Sequence, residues 1–255
     1  MTEMTKYDPG MFCWIELTTS DGAVAKAFYS SLFGWKANEI PMGPGEPPYV
    51  MLEKNGKQVG ALYENRKAPT NWLSYVAVES ADDSAKTAKD LDANLIAEPF
   101  DVMDVGRMAV VQDPQGAIFA LWQAKQHIGA GVRDEVNTLC WNELMTTDIE
   151  AARTFYQSLF DWTLKISPGY TEAHVGERAV GGLMQIAPEM EGMPPHWQPY
   201  FAVDDCDGTL RKAQSLGVKN HFGPMDIDKV GRFAVIEDPQ GATFAVIQLT
   251  AQPSS

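Results

Sequence analysis

From Cys13 to Thr18 the chain alternates: Cys13, Ile15 and Leu17 fall on one side, and Trp14, Glu16 and Thr18 on the other. A period of two marks a strand with two chemically different faces. Ser20 or Asp21 then suits a helix N-cap, and Ala27, Phe28, Leu32 and Phe33 supply the apolar face of a predicted helix that Gly34 closes. Residues 43–48 form a loop, and 49–52 and 58–63 read as strands around an Asn55-Gly56 hairpin turn. The order then repeats, with a strand over 73–78, a helix over 82–91 and a strand over 106–112. The turn Asp113-Pro114-Gln115-Gly116 feeds a last strand over 117–123.

The whole pattern recurs. CWIEL, from Cys13, returns as CWNEL from Cys140, and FYSSLFGW, from Phe28, returns as FYQSLFDW from Phe155, both displaced by 127 residues. NWLSYVAV, ending at Val78, has its partner in HWQPYFAV, ending at Val203. VGRMAVVQDPQGAIFA, from Val105, pairs with VGRFAVIEDPQGATFA from Val230. In the second copy Asp148 is the N-cap, Ala152, Phe155, Leu159 and Phe160 the apolar face, and Asp161 stands where Gly34 does. Four matching blocks in one order indicate a tandem duplication. The expected fold is α+β: two domains, over 8–125 and 136–250, each built of two βαβββ half-units and joined by a short polar linker around Gln126 to Glu135.

Composition narrows the partners. A length of 255 residues suits two compact domains, and 45% hydrophobic against 21% charged residues is a globular composition. A net charge of −14 with no basic run argues against nucleic acid and anionic membranes as partners. No apolar stretch approaches a membrane span, and the N-terminus lacks a secretory pattern, so the expected location is the cytoplasm, as monomer or homodimer. Cys13 and Cys140 occupy equivalent apolar strand positions, the setting of buried thiols. No Ser–His–Asp or Cys–His constellation and no phosphate-cradling glycine loop emerges.

The early strand ending in TTSD or TTD, the FYxSLFxW helix and the VGR…DPQGAxFA hairpin resemble the vicinal oxygen chelate superfamily of glyoxalase I, bleomycin-resistance proteins and extradiol dioxygenases. The resemblance extends over nearly the whole chain, and the chain is similar to the duplicated glyoxalase-like proteins and antigens of actinobacteria. It implies that two βαβββ modules pair into one cupped sheet with the ligand or metal inside, so that four modules form two cups. The superfamily's metal enzymes take His from the first strand of a module and Glu from the last. Here those positions carry Trp14 and Trp141, Ala120 and Ala245; the second His site falls at or near Tyr75 and Tyr200, and the remaining Glu site within 59–63 and 180–185 is apolar or small apart from the edges of those ranges. Indole and methyl groups cannot ligate a cation. Residues 12–124 contain no His, and His174, His196 and His221 of the second repeat fall on no expected ligand position and read as surface or loop residues.

If the relatives' ligand positions face inward, Trp14, Glu16, Tyr75 and Trp122 line the first cup, and Trp141, Glu143 and Tyr200 the second. An aromatic pocket with one carboxylate suits a planar or cationic small molecule. Arg107 or Arg232 would neutralise the carboxylate if it turned inward, and Asp113 and Asp238 read as turn residues. Trp122 against Ile247 and Ile15 against Asn142 are read as divergence between the two cup interiors. Three functions are compatible with this sequence. The leading one is a small-molecule binder with metal-independent aromatic cups and no cofactor, serving sequestration, resistance or an undetermined chemistry. The others are a metal-dependent lactoylglutathione-lyase-like enzyme or dioxygenase, and a non-catalytic protein with collapsed cups that acts through its surface.

Overall fold

A computed structural model describes residues 3–190 and 192–250, apart from the side chains of Asn220 and His221. The first repeat runs β1 (Phe12–Thr19), α1 (Gly22–Phe33), β2 (Lys36–Ile40), β3 (Tyr49–Lys54), β4 (Lys57–Glu64), β5 (Asn71–Ala77), α2 (Ala81–Asp90), β6 (Asn94–Val102), β7 (Gly106–Gln112) and β8 (Ile118–Ala124). The second runs β9 (Leu139–Thr146), α3 (Ile149–Phe160), β10 (Thr163–Ser167), β11 (Tyr170–Val175), β12 (Arg178–Gln185), β13 (His196–Ala202), α4 (Cys206–Ser215), β14 (Lys219–Ile227), β15 (Gly231–Glu237) and β16 (Thr243–Leu249). Each repeat makes its own eight-stranded cupped sheet, ordered β2-β3-β4-β1-β5-β8-β7-β6 and β10-β11-β12-β9-β13-β16-β15-β14. Both cups therefore form within one repeat. The four strands absent from the period-two reading, β2, β6, β10 and β14, are the sheet edges, where exposure removes the need for strict alternation.

Local chemistry explains the elements. The Asp21 carboxylate caps α1 by accepting from the backbone of Ala23 and Val24, and Gly34 ends the helix at φ 73°. Asp161 takes the same left-handed turn in the second copy at φ 55°, a conformation that Asp tolerates better than most side chains. Asn55 and Gly56 both have positive φ, as the tight hairpin between β3 and β4 requires.

The helix-bearing faces of the two sheets pack against each other. One core cluster joins Ile15, Leu17, Phe28, Tyr29, Phe33 and Trp72 of the first repeat to Phe201, Leu210, Phe244 and Val246 of the second. The other joins Val76, Phe119 and Leu121 to Leu144, Phe155, Tyr156 and Trp197. The first half-unit thus packs on the fourth and the second on the third. The predicted helix face shifts accordingly: Ala27 is exposed, Leu159 is only half-buried, and Tyr29 and Tyr156 are fully buried.

Three expectations change at this interface. Asp113 and Asp238 do more than shape turns. The Tyr29 hydroxyl donates to Asp238 Oδ2 at 2.9 Å and accepts from Trp72 Nε1 at 3.0 Å, and Tyr156 repeats the arrangement with Asp113 at 2.8 Å and Trp197 at 2.9 Å. Each DPQG turn is therefore hydrogen-bonded to a helix of the other repeat. Ile15 and Asn142 are likewise not cup residues. Ile15 lies in the inter-repeat core, and buried Asn142 accepts from Ser74 across it at 2.7 Å. The linker, finally, is not merely a polar connector. Gly131 and Ala130 donate backbone hydrogen bonds to Gln58 and Cys13, and buried Arg133 donates to the Phe12 carbonyl at 2.8 Å.

Candidate functional site

The helix-free faces carry the candidate residues. In the first sheet Trp14 stands opposite Tyr75, Tyr75 opposite Ala120, and Glu16 opposite Ala61. Strand alternation thus places Trp14, Glu16, Tyr75 and Trp122 together, in a cluster that includes Met51, Met108 and Ala120. In the second, Trp141 is opposite Tyr200 and Tyr200 opposite Ala245, and the cluster adds Phe233 and Ile247. All seven predicted residues reach the inner faces.

A tyrosine opening the third strand of each repeat completes the constellation, and sequence reasoning missed it. The Tyr49 hydroxyl donates to Glu16 Oε2 at 2.5 Å, and Tyr75 donates to Oε1 at 3.1 Å. In the second cup Tyr200 donates to Glu143 Oε1 at 2.8 Å, and Trp141 Nε1 donates at 2.9 Å to Tyr170, whose hydroxyl lies near enough to Glu143 to favour its ionised form. Each cup therefore holds one carboxylate between two phenols beside an indole. The available signal was that YVMLEK and YTEAHV both begin with Tyr.

Arg107 and Arg232 do not neutralise these carboxylates. Arg107 follows the parity of Ala109 and Val111, which face the helices, and so donates to Asp82 of α2 at 2.7 and 2.8 Å. Arg232 pairs with Asp207 of α4 at 2.6 Å. Burial without a cationic partner pushes the Glu16 and Glu143 carboxyls above the usual carboxylate range, while the tyrosine donors pull them partly back. A carboxyl whose folded-state pKa is raised binds protons more tightly folded than unfolded, so it withdraws stability as pH rises from the ordinary carboxylate range through the folded value. Glu16→Gln is expected to remove that loss. Urea titrations of wild type and variant should coincide at acidic pH and diverge on the way to neutrality, with Gln the more stable there.

The cups differ in access. Trp14, Tyr75 and Trp122 are 4%, 3% and 5% exposed, and the His127 ring from the linker packs edge-on against Trp14 with centroids 4.6 Å apart. Trp122 Nε1 donates to the His127 carbonyl at 2.9 Å. The repeat without a histidine thus borrows one from the connector, and burial holds its pKa below the usual imidazole value. Glu16 and Tyr49 of the first cup and Glu143 and Tyr170 of the second are all half-buried, so the difference lies at the indole: Trp141 is half-buried where Trp14 is buried. The two best-formed surface depressions, lined by residues such as Ile186 and Met193 or Asp226 and Arg232, lie outside both cups.

The donor set does not suit a divalent ion. Beside the single carboxylate of each constellation the superfamily's ligand positions carry indole, phenol and methyl groups, and among the described residues no three His, Cys, Asp or Glu side chains come together. His174 is a buried residue of β11, 3.1 Å from Glu172, and not a surface or loop residue. His196 opens β13; His221 lies in β14, its side chain outside the described residues. Cys13 is buried and Cys140 half-buried, both as free thiols, and burial pushes Cys140 up to about 12, which leaves it protonated and unreactive at neutral pH. No helix among the described residues is long and apolar enough to cross a membrane.

Comparison with known proteins agrees with this architecture. The family model described as Glyoxalase/Bleomycin resistance protein/Dioxygenase superfamily matches residues 12–121 and again 136–246. "Putative glyoxylase CFP32" of Mycobacterium tuberculosis is 39% identical over 99% of this chain and 100% of its own length. "Anthracycline biosynthesis protein DnrV" of Streptomyces peucetius is 35% identical over 96% of each. The fold is shared with the Mn(II)-bound glyoxalase from Novosphingobium aromaticivorans, with a TM-score of 0.65, 12% identity, 94% of this chain and 82% of that one. It is also shared with an extradiol ring-cleaving dioxygenase from B. fuscum, with a TM-score of 0.66, 16% identity, 100% of this chain and 77% of that one.

Proposed function

The chain belongs to the glyoxalase/bleomycin resistance protein/dioxygenase superfamily, and from that premise we propose that it is a small-molecule-binding member whose aromatic cups work without a metal ion. The observation that carries this reading is the repeated constellation of one cation-free carboxylate, two tyrosine hydroxyls and a tryptophan. A half-buried carboxylate with no basic partner is costly for a fold that needs it only as filler. It suits a ligand that brings its own positive charge or hydrogen-bond donor, while the indole and phenol rings offer stacking and cation–π surface. The second cup, whose Trp141 is half-buried, is the more open of the two, because in the first the His127 ring covers Trp14.

Two measurements test the reading together. Protein purified without a metal-affinity tag is expected to contain no stoichiometric Ni, Zn, Fe or Mn by elemental analysis. A calorimetric screen of planar and cationic metabolites should give binding that Trp141→Ala weakens at least tenfold. A bound transition metal at one equivalent per cup would instead make the protein a glyoxalase- or dioxygenase-type metalloenzyme. Binding indifferent to both Trp14→Ala and Trp141→Ala would move the functional surface away from the cups.

A further inference from the structure

The two cups carry the same carboxylate but stand it in different company. In the first sheet the register sets Met51, Ala61, Glu16 and Leu73 side by side across four strands. The corresponding row of the second sheet is Glu172, Gly182, Glu143 and Gln198. One apolar row with a single acid has become a row with two acids and a carboxamide.

We infer that the second cup is specific for a ligand bearing a protonated amine next to a hydrogen-bond acceptor, mounted on a flat apolar body. The inference rests on the small-molecule reading above and names the chemistry of its ligand. Gln198 is only 4% exposed, shares a strand face with Tyr200 and stands directly opposite Glu143, yet its Nε2 is buried and has no hydrogen-bond partner among the described residues. A buried donor left open beside a carboxylate is poor filler, and Leu73 shows that the same sheet position accepts an apolar side chain. Its natural occupant is an acceptor brought by the ligand.

The acids set the other half of the recognition. Glu143 and Glu172 flank Gly182, two strand spacings or roughly 10 Å apart at the backbone. Between them lies the Tyr170 hydroxyl. A Cβ on Gly182 would meet that oxygen at 1.9 Å, so the glycine leaves room for the phenol over the strand. Glu172 keeps 47% side-chain exposure and contacts His174, whereas Glu143 accepts from Tyr200 on the same face as Trp141. An amine entering over Trp141 meets Glu143, and an adjacent hydroxyl or carbonyl oxygen then accepts from Gln198.

Calorimetry on the full chain with four probes of one skeleton tests this: 2-amino-1-phenylethanol, 2-phenylethylamine, 2-phenylethanol and mandelate. The amino alcohol is expected to bind most tightly, the simple amine about tenfold more weakly, and the neutral alcohol and the anion not measurably. Gln198→Leu should reduce amino alcohol affinity about tenfold and leave the simple amine unchanged, while Glu143→Gln should abolish both. Trp14→Ala should change neither. Thermal unfolding confirms that each variant is folded, and Gln198→Leu, which fills the site as Leu73 does, is expected to be at least as stable as wild type. Binding that requires Trp141 but ignores charge overturns the amine assignment and leaves the small-molecule reading standing. Dependence on Trp14 in place of Trp141 overturns the choice of cup. Failure of all four probes overturns the inference, while the broader screen decides the small-molecule reading by itself.

Discussion

Asp238→Ala is expected to lower the stability of the whole protein by about 3–5 kcal/mol, although the residue belongs to a surface-type turn. Its Oδ1 accepts from the backbone of Gln240 and Ala242 at 2.8 and 3.0 Å, and its Oδ2 from Tyr29 of the other repeat at 2.9 Å. Alanine leaves buried donors without partners, each costing about 1–3 kcal/mol. Tyr29→Phe removes one of these bonds and orphans Trp72 Nε1, so it should cost less, about 2 kcal/mol. Asp113→Ala should behave like Asp238→Ala, because Tyr156 and Trp197 reproduce the network. Guanidinium unfolding followed by tryptophan fluorescence and by far-UV circular dichroism should give coincident single transitions in every variant, since both core clusters contain residues of both repeats. A loss below 1 kcal/mol, or two separated transitions, would mean that the repeats are energetically independent.

Gly129→Ala should free the connector from the first cup. Gly129 has φ 115°, and a Cβ there would stand 2.3 Å from the Cys13 carbonyl oxygen, a backbone atom with no freedom to withdraw. The clash and the strained backbone together are worth more than about 3 kcal/mol, so the protein is expected to lift the 127–131 segment off β1 and lose only the local contacts. Those contacts include the Ala130-to-Cys13 and Gly131-to-Gln58 backbone bonds, the Tyr7 bond to Ala130, the Trp122 bond to His127 and the His127 packing on Trp14. Trp14 and Trp122 would then meet water, so a red shift in tryptophan emission and faster quenching by acrylamide are the expected signals. An unchanged spectrum would show that the connector is not what closes the first cup. The same variant separates the two cups functionally, because ligand binding at Trp141 should survive it.

Much of the molecule was legible in the chain. Duplication and half-unit order follow from repeated blocks and period-two alternation, and the seven inner-face residues from alternation once the superfamily resemblance says which face is inward, because each strand has one face toward the helices and one into the cup. Helix capping by Asp21 and Asp148 and the Asn55-Gly56 turn are equally local, being settled within a few residues of backbone geometry. Tyr49 and Tyr170 escaped notice because a tyrosine at the start of a short strand has no periodic signature; its role depends on which carboxylate lies across two neighbouring strands.

What only the tertiary structure decided is who meets whom across long sequence separations. Tyr29 and Asp238 are 209 residues apart, and nothing near either predicts the other. The connector's composition reads as polar, yet its histidine enters a cup, since a single side chain can turn inward without leaving a period behind. Arg107 and Glu16 were plausible partners on charge alone, but their strands present them to opposite faces of the same sheet. Alternation along a chain determines which face a residue occupies, whereas the hydrogen-bond register between strands, set by the packing of the whole sheet, determines its neighbours there.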